Sequence, residues 1–238
     1  MDILPITLLT IVASAVSTVA GFGVSTVMMP ILLFFFPLPQ ALLLVGIIHF
    51  FQDAGKMLFF KSGANWRLIL GFGLPGILGA YVGARLVFVL PQEQIIKVLG
   101  AIFMVYVIFV FLNPQFKLRQ NSKNAGIGGL LYGTSAGVFG IGGEIRAAFL
   151  SAFDLKKTVY IFTNGAIGFA VNATRVSTYI YEGTRLPEPL LWGLFIFIPA
   201  AFVGVQLGKW AVDLMPQKYF RPAVALFLLA VGIRLAFF

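Results

Sequence analysis

Four polar side chains, His49, Gln52, Asp53 and Lys56, fall at i, i+3, i+4 and i+7 inside an apolar run. That spacing puts all four on one face of a helix. A later run places Asn164, Gly168, Asn172, Arg175 and Tyr179 along one face in the same way. Ionisable groups within a hydrophobic span are costly and turn toward the protein interior or a wet cavity. Such a pair of faces suits an anion: Lys56 and Arg175 would neutralise it, and His49, Gln52, Asn164 and Asn172 would supply hydrogen bonds. A plainer account also fits. Asp53 and Lys56 would neutralise each other as an i, i+3 pair, and Lys56 and Arg175 would snorkel from helix ends. His49, the single histidine, suits a substrate contact or proton relay. It equally suits a buried bond to Gln52 or a backbone carbonyl. One histidine with no cysteine does not make a metal site, which takes three or four ligands, and no cofactor is expected.

Two glycine breaks add a second kind of chemistry. "AGFGVS" at 20–25 carries Gly21 and Gly23, and "FGIGGE" at 139–144 carries Gly140, Gly142 and Gly143. The residues after each break, from Ser25 and Thr26 and from Glu144 to Arg146, are expected to open short helices. A helix start offers free N–H groups and partial positive charge, which favour an anion. Ser25 and Thr26 add hydroxyl donors. Glu144 suits a helix start and is expected to pair with Arg146; Asp53 or Glu144 would be the carrier of any coupling proton. The competing reading is that these glycines only let helices pack closely. Packing glycines in membranes favour G-x-x-x-G, which Gly79/Gly83 and Gly204/Gly208 follow and the breaks do not.

The elements that position these residues follow from composition. Hydrophobic residues make up 60% of the 238 and charged residues 11%, against about 45–50% and about 25% in soluble domains. The chain reads as an all-α polytopic membrane protein. Net charge is +9, but the basic residues lie mostly between apolar segments, where anionic lipid meets them; no nucleic-acid pattern accompanies them. The opening lacks a basic n-region and is expected to belong to the fold. Segments 40–60, 66–90, 94–112, 158–181, 189–214 and 218–236 reach the length of about 20 residues that a full span needs. Segments 4–20, 24–36, 125–139 and 144–153 are shorter and form the two broken pairs.

Shifting the chain by 119 lays Gly21 and Gly23 on Gly140 and Gly142, Asp53 on Asn172 and Lys56 on Arg175. With a few insertions, Pro75 meets Pro199 and "LPQ" at 90–92 meets "MPQ" at 215–217. Residues 1–112 and 125–238 are therefore expected to be repeats, joined by a polar linker at 113–124. Each would hold a re-entrant pair of half-helices and three transmembrane helices. One continuous helix over 4–36 would be roughly 50 Å long, far beyond the core of about 30 Å. With hairpins, three spans per half make the repeats inverted. One face then collects nine basic residues (Lys61, Arg67, Lys117, Arg119, Lys123, Lys156, Lys157, Lys218, Arg221) against four (Arg85, Lys97, Arg185, Arg234). The positive-inside rule puts the nine in the cytoplasm and both termini outside.

The order of these motifs, with "LPGILGAYVGARL" at 74–86 and "IPAAFVGVQLGKW" at 198–210, resembles the TauE/SafE family of membrane transporters, also called the sulfite exporter family. The resemblance covers nearly the whole chain. It implies a secondary transporter of the cytoplasmic (inner) membrane for a small anion, sulfite or an organosulfonate. It implies no enzyme activity. The first break keeps the family's following proline, Pro30. The second departs from the pattern, with Glu144 and Arg146 interposed and Phe149 in place of proline. Two rivals stand beside it: a lipid-phosphate phosphatase, whose glutamate pair and serine-arginine run are absent here, and a non-transporting membrane scaffold subunit. Oligomers are compatible with each.

Overall fold

A computed structural model describes residues 3–20, 23–60, 63–112, 121–151, 153, 155–211 and 233. Among them the chain is all helical, with no strand. The helices are α1 (Ile3–Ala20), α2 (Ser25–Leu32), α3 (Leu38–Phe59), α4 (Trp66–Val89), α5 (Gln92–Leu112), α6 (Ser122–Phe139), α7 (Gly143–Ser151), α8 (Lys157–Tyr181) and α9 (Glu188–Ala211). Among the described residues α3, α4 and α9 are long and apolar enough to cross a membrane. The expected span 218–236 lies outside the described residues except for 233, as do 113–120 of the linker.

Local signals explain the helix ends. Asn65 and Asn121 cap α4 and α6 by accepting from the amides of Leu68 (3.1 Å) and Asn124 (2.7 Å), satisfying donors that a helix start leaves open. Proline occupies the first turn of α3, where its missing N–H costs nothing. Gly140 ends α6 in the left-handed conformation, φ 72°, with its amide on the carbonyl of Ala136, the usual glycine C-cap.

The broken pairs are less even than the sequence suggests. α1 and α6 have 18 residues each, whereas α2 and α7 have 8 and 9. At about 1.5 Å per residue the first arms reach about 27 Å and the return arms 12–14 Å. Glycines would weaken α6 alone, but here they face α4. A Cβ at Gly129 or Gly133 would collide with the carbonyl oxygen of Phe72 or Gly76, and one at Gly137 would lie 2.6 Å from that of Ala80. Gly79 and Gly83 abut Leu130 and Thr134 from the other side. Gly204 and Gly208 bring α9 onto Ile11 and Ala15 of α1 in the same way. Thus α4 packs on α6 and α9 on α1, with backbones close enough for dispersion to replace the missing hydrophobic drive.

The third main contact is α3 on α8. Gly46 faces Val176, Phe50 stacks on Phe169 (4.2 Å between centroids), and Gly165 faces Lys56 and Met57. The falling partner numbers mean that the two helices run antiparallel. Outward faces are apolar: Leu70, Leu74, Leu78 and Val82 on α4 and Leu191, Phe195 and Val203 on α9 are exposed. Trp66, Trp192 and Trp210 are exposed near helix ends. Such a surface fits lipid, with tryptophans at the interfaces.

Candidate functional site

The α3–α8 crossing buries a polar cluster. Asp53, fully buried, is its hub. Its Oδ1 receives Lys56 Nζ at 3.0 Å. Its Oδ2 receives Asn172 Nδ2 at 3.1 Å and Arg146 Nη1 at 3.4 Å, and lies 3.5 Å from His49 Nε2. Three helices therefore meet at one carboxylate: α3, α7 and α8. Gly168 makes the meeting possible, because a Cβ there would overlap Arg146 Nη1 and Asp53 Oδ2.

The remaining side chains extend from this hub. Lys56 Nζ also donates to Gln52 Oε1 (3.2 Å), and Gln52 Nε2 donates to Ser17 Oγ (2.7 Å) and the Ser14 carbonyl (3.3 Å) on α1. His49 Nδ1 shares a hydrogen bond with Ser25 Oγ (2.7 Å) at the start of α2. Gly23, at φ 109°, brings that start against the imidazole; a Cβ there would lie 2.6 Å from His49 Cε1. Arg175 donates from all three nitrogens: to Asn172 Oδ1 (2.7 Å), the Ala136 carbonyl (3.0 Å) and Ser25 Oγ (3.4 Å). Tyr179 donates to the Gly137 carbonyl one turn further along. Arg175 thus ties α8 to the end of α6 and the start of α2.

Arg146 differs. It is 0% exposed, yet only Nη1 has partners, Asp53 and Tyr132 Oη (3.0 Å). Its Nε and Nη2 have no hydrogen-bond partner. The guanidinium lies 4.9 Å from the Tyr132 ring centroid, a cation–π distance. Among the described residues the buried core thus holds three cationic side chains, Lys56, Arg146 and Arg175, against the buried carboxylate Asp53, with Glu144 partly buried beside them. A buried excess of cations with open N–H groups attracts an anion.

A family model described as sulfite exporter TauE/SafE matches residues 6–235. The chain belongs to the TauE/SafE family. Its membrane-transporter character and multi-pass location accord with the apolar helices above. No curated protein and no solved structure matches it.

In this TauE/SafE chain the residues picked out by spacing divide into groups. Ser25, His49, Gln52, Asp53, Lys56, Arg146, Asn172 and Arg175 join one hydrogen-bonded network. Thr26 and Asn164 are buried on its flanks, and Thr26 Oγ1, Asn164 Nδ2 and Glu144 Oε1 have no hydrogen-bond partner. Gly23, Gly140, Gly142 and Gly143 shape the breaks; Gly140 abuts Met29 and Leu42, and Gly142 abuts Tyr132. Gly21 lies outside the described residues. Two expectations change. Arg146 pairs with Asp53 and not with Glu144, because residues two apart on a helix do not face each other. Lys56 and Arg175 do not snorkel, being 3% and 0% exposed. Tyr132 and Ser17 were missed. Tyr132 directly precedes Gly133 of the glycine stripe of α6, but neither residue stands out as polar in an apolar run.

Ser25, His49 and Asp53 fall in a line that has the residue types of a hydrolytic triad. The chemistry does not follow. Asp53 is held by three other donors, and Ser25 Oγ accepts from Arg175. His49 Nε2 makes no hydrogen bond, so the Asp53–His49 bond by which a triad carboxylate orients its imidazole is not formed here.

Proposed function

We propose that this TauE/SafE chain carries sulfite or an organosulfonate across the cytoplasmic membrane by alternating access. The anion is bound at the α3–α7–α8 cluster. The observation that carries this reading is Arg146: a fully buried guanidinium with two nitrogens lacking protein acceptors, set among more cations than carboxylates. A planar fork with two open donors matches two oxygens of a sulfur oxyanion. Lys56 and Arg175 add field, and His49, Ser25, Thr26, Gln52, Asn164 and Asn172 provide polar lining. The start of α2 brings its partial positive charge beside His49 and Arg175 through Ser25.

The carrier is read as two inverted repeats, 1–112 and 125–238, with a linker at 113–124. Asp53 and Asn172 touch, and they are 119 residues apart, as are the stacked rings Phe50 and Phe169. Equivalent residues that meet lie beside a two-fold axis. Equivalent helices that run antiparallel place that axis across them, in the membrane plane, as inverted repeats require. The basic-loop bias then sets both termini outside. The cluster is closed over in this arrangement, so access from either side requires the α1–α9 and α4–α6 pairs to shift against α3–α8, with Pro75 and Pro199 as bends.

Sulfite uptake into proteoliposomes tests the site. Arg146→Ala is expected to lower flux by at least about 100-fold, the order expected when a hydrogen-bonded charge contact is removed. Arg146→Lys does not restore it, because an ammonium lacks the fork. Wild-type flux in Arg146→Ala would place the anion elsewhere.

A further inference from the structure

We propose that Asp53 is a tethered stand-in for the transported anion, and that it makes this carrier a net transporter and not an obligatory exchanger. The proposal rests on the reading that the anion is held at Arg146.

Asp53 accepts from donors on α3, α8 and α7, namely Lys56 (3.0 Å), Asn172 (3.1 Å) and Arg146 (3.4 Å), and His49 Nε2 lies 3.5 Å away without a hydrogen bond. The Arg146–Asp53 ion pair is the salt bridge that links α7 to α3 among the described residues. A binding site of bare cations cannot close over them in a membrane, because a buried charge without its counter-charge is heavily penalised. Such a carrier would cross only with an anion aboard, and so would exchange one anion for another. A carboxylate on the protein itself lowers that penalty and so relaxes the requirement. Asp53 sits where it can do this: one carboxylate pairs with both Lys56 and Arg146 and lowers their combined charge from two to one, and Gly168 leaves the room that Asp53 Oδ2 and Arg146 Nη1 need. Its counterpart in the second repeat is the neutral Asn172, so one such charge serves both halves.

Asp53 contacts only Nη1 of Arg146 and leaves Nε and Nη2 open. An arriving anion therefore binds the free edge of the same guanidinium while repelled by Asp53. For two negative charges about 6 Å apart at an effective dielectric of about 20, the repulsion weakens affinity by roughly 100-fold. That weakening also lets the anion leave.

The experiment uses the full chain in proteoliposomes with labelled sulfite outside and a lumen that is either sulfite-free or sulfite-loaded. The wild type is expected to give similar initial rates into both. In Asp53→Asn the ratio of uptake into sulfite-free vesicles to exchange falls at least about tenfold, whatever the absolute exchange rate, and sulfite binds up to about 100-fold more tightly. Asp53→Glu, which retains the carboxylate, recovers net uptake. Wild-type uptake that requires a loaded lumen overturns the proposal, and this holds even if Asp53→Asn fails to fold. An unchanged ratio of net uptake to exchange in Asp53→Asn also overturns it, while leaving the anion site intact. No flux from the wild type in either lumen removes the site reading and the proposal together.

Discussion

Gly168→Ala isolates the packing that the buried cluster depends on. The added Cβ would overlap Arg146 Nη1 and Asp53 Oδ2 and sit 2.7 Å from Asp53 Cγ. Neither side chain has free space, since both are fully buried. The ion pair must open, and parting a buried pair costs about 3–5 kcal/mol. Replacing glycine by alanine within a helix returns about 0.5–1 kcal/mol. The net loss is about 2–4 kcal/mol, which for a chain of this size lowers the unfolding midpoint by roughly 5–15 °C. Thermal unfolding of the purified protein in detergent measures it. Gly71→Ala and Gly126→Ala are the controls, because a Cβ at either meets nothing within 4 Å; both should match or exceed wild-type stability. If Gly168→Ala melts with the controls and still transports sulfite, the Asp53–Arg146 pair is not packed against α8 as described.

Two further outcomes follow from the same contacts. Tyr132→Phe removes the hydroxyl that accepts from Arg146 at 3.0 Å but keeps the ring beneath the guanidinium; sulfite flux should fall by about tenfold, as for one lost hydrogen bond to a charged group, with the folded yield unchanged. Gly133→Ala places a Cβ into the Gly76 carbonyl oxygen, which no rotamer can relieve, so α4 and α6 must separate; size-exclusion profiles should show loss of folded protein, in contrast to Gly126→Ala on the same helix.

Much of this arrangement can be read from residue types and spacing. His49, Gln52, Asp53 and Lys56 at helical intervals signal an inward polar stripe, since lipid tolerates none of them. The 119-residue shift pairs Asp53 with Asn172 before their contact is known. The glycine breaks mark where α2 and α7 begin. What spacing does not convey is who partners whom. Arg146 and Glu144 are neighbours in sequence, yet Arg146 reaches across to Asp53, 93 residues away. The long arms are close to the apolar segments 4–20 and 125–139, and in α6 the glycines at 129, 133 and 137 face α4. Their four-residue spacing is a legible packing signal.

On the proposed reading a small sulfur oxyanion binds at the free edge of Arg146. Crystals soaked in selenite, a heavier analogue of sulfite, test it most directly through anomalous scattering. One strong peak is expected within hydrogen-bonding distance of Arg146 Nε and Nη2, between α3, α7 and α8, and it should vanish in Arg146→Ala. A peak confined to the cavity lined by Asn65, Arg67, Asn121 and Ser122, with none at Arg146, would contradict it.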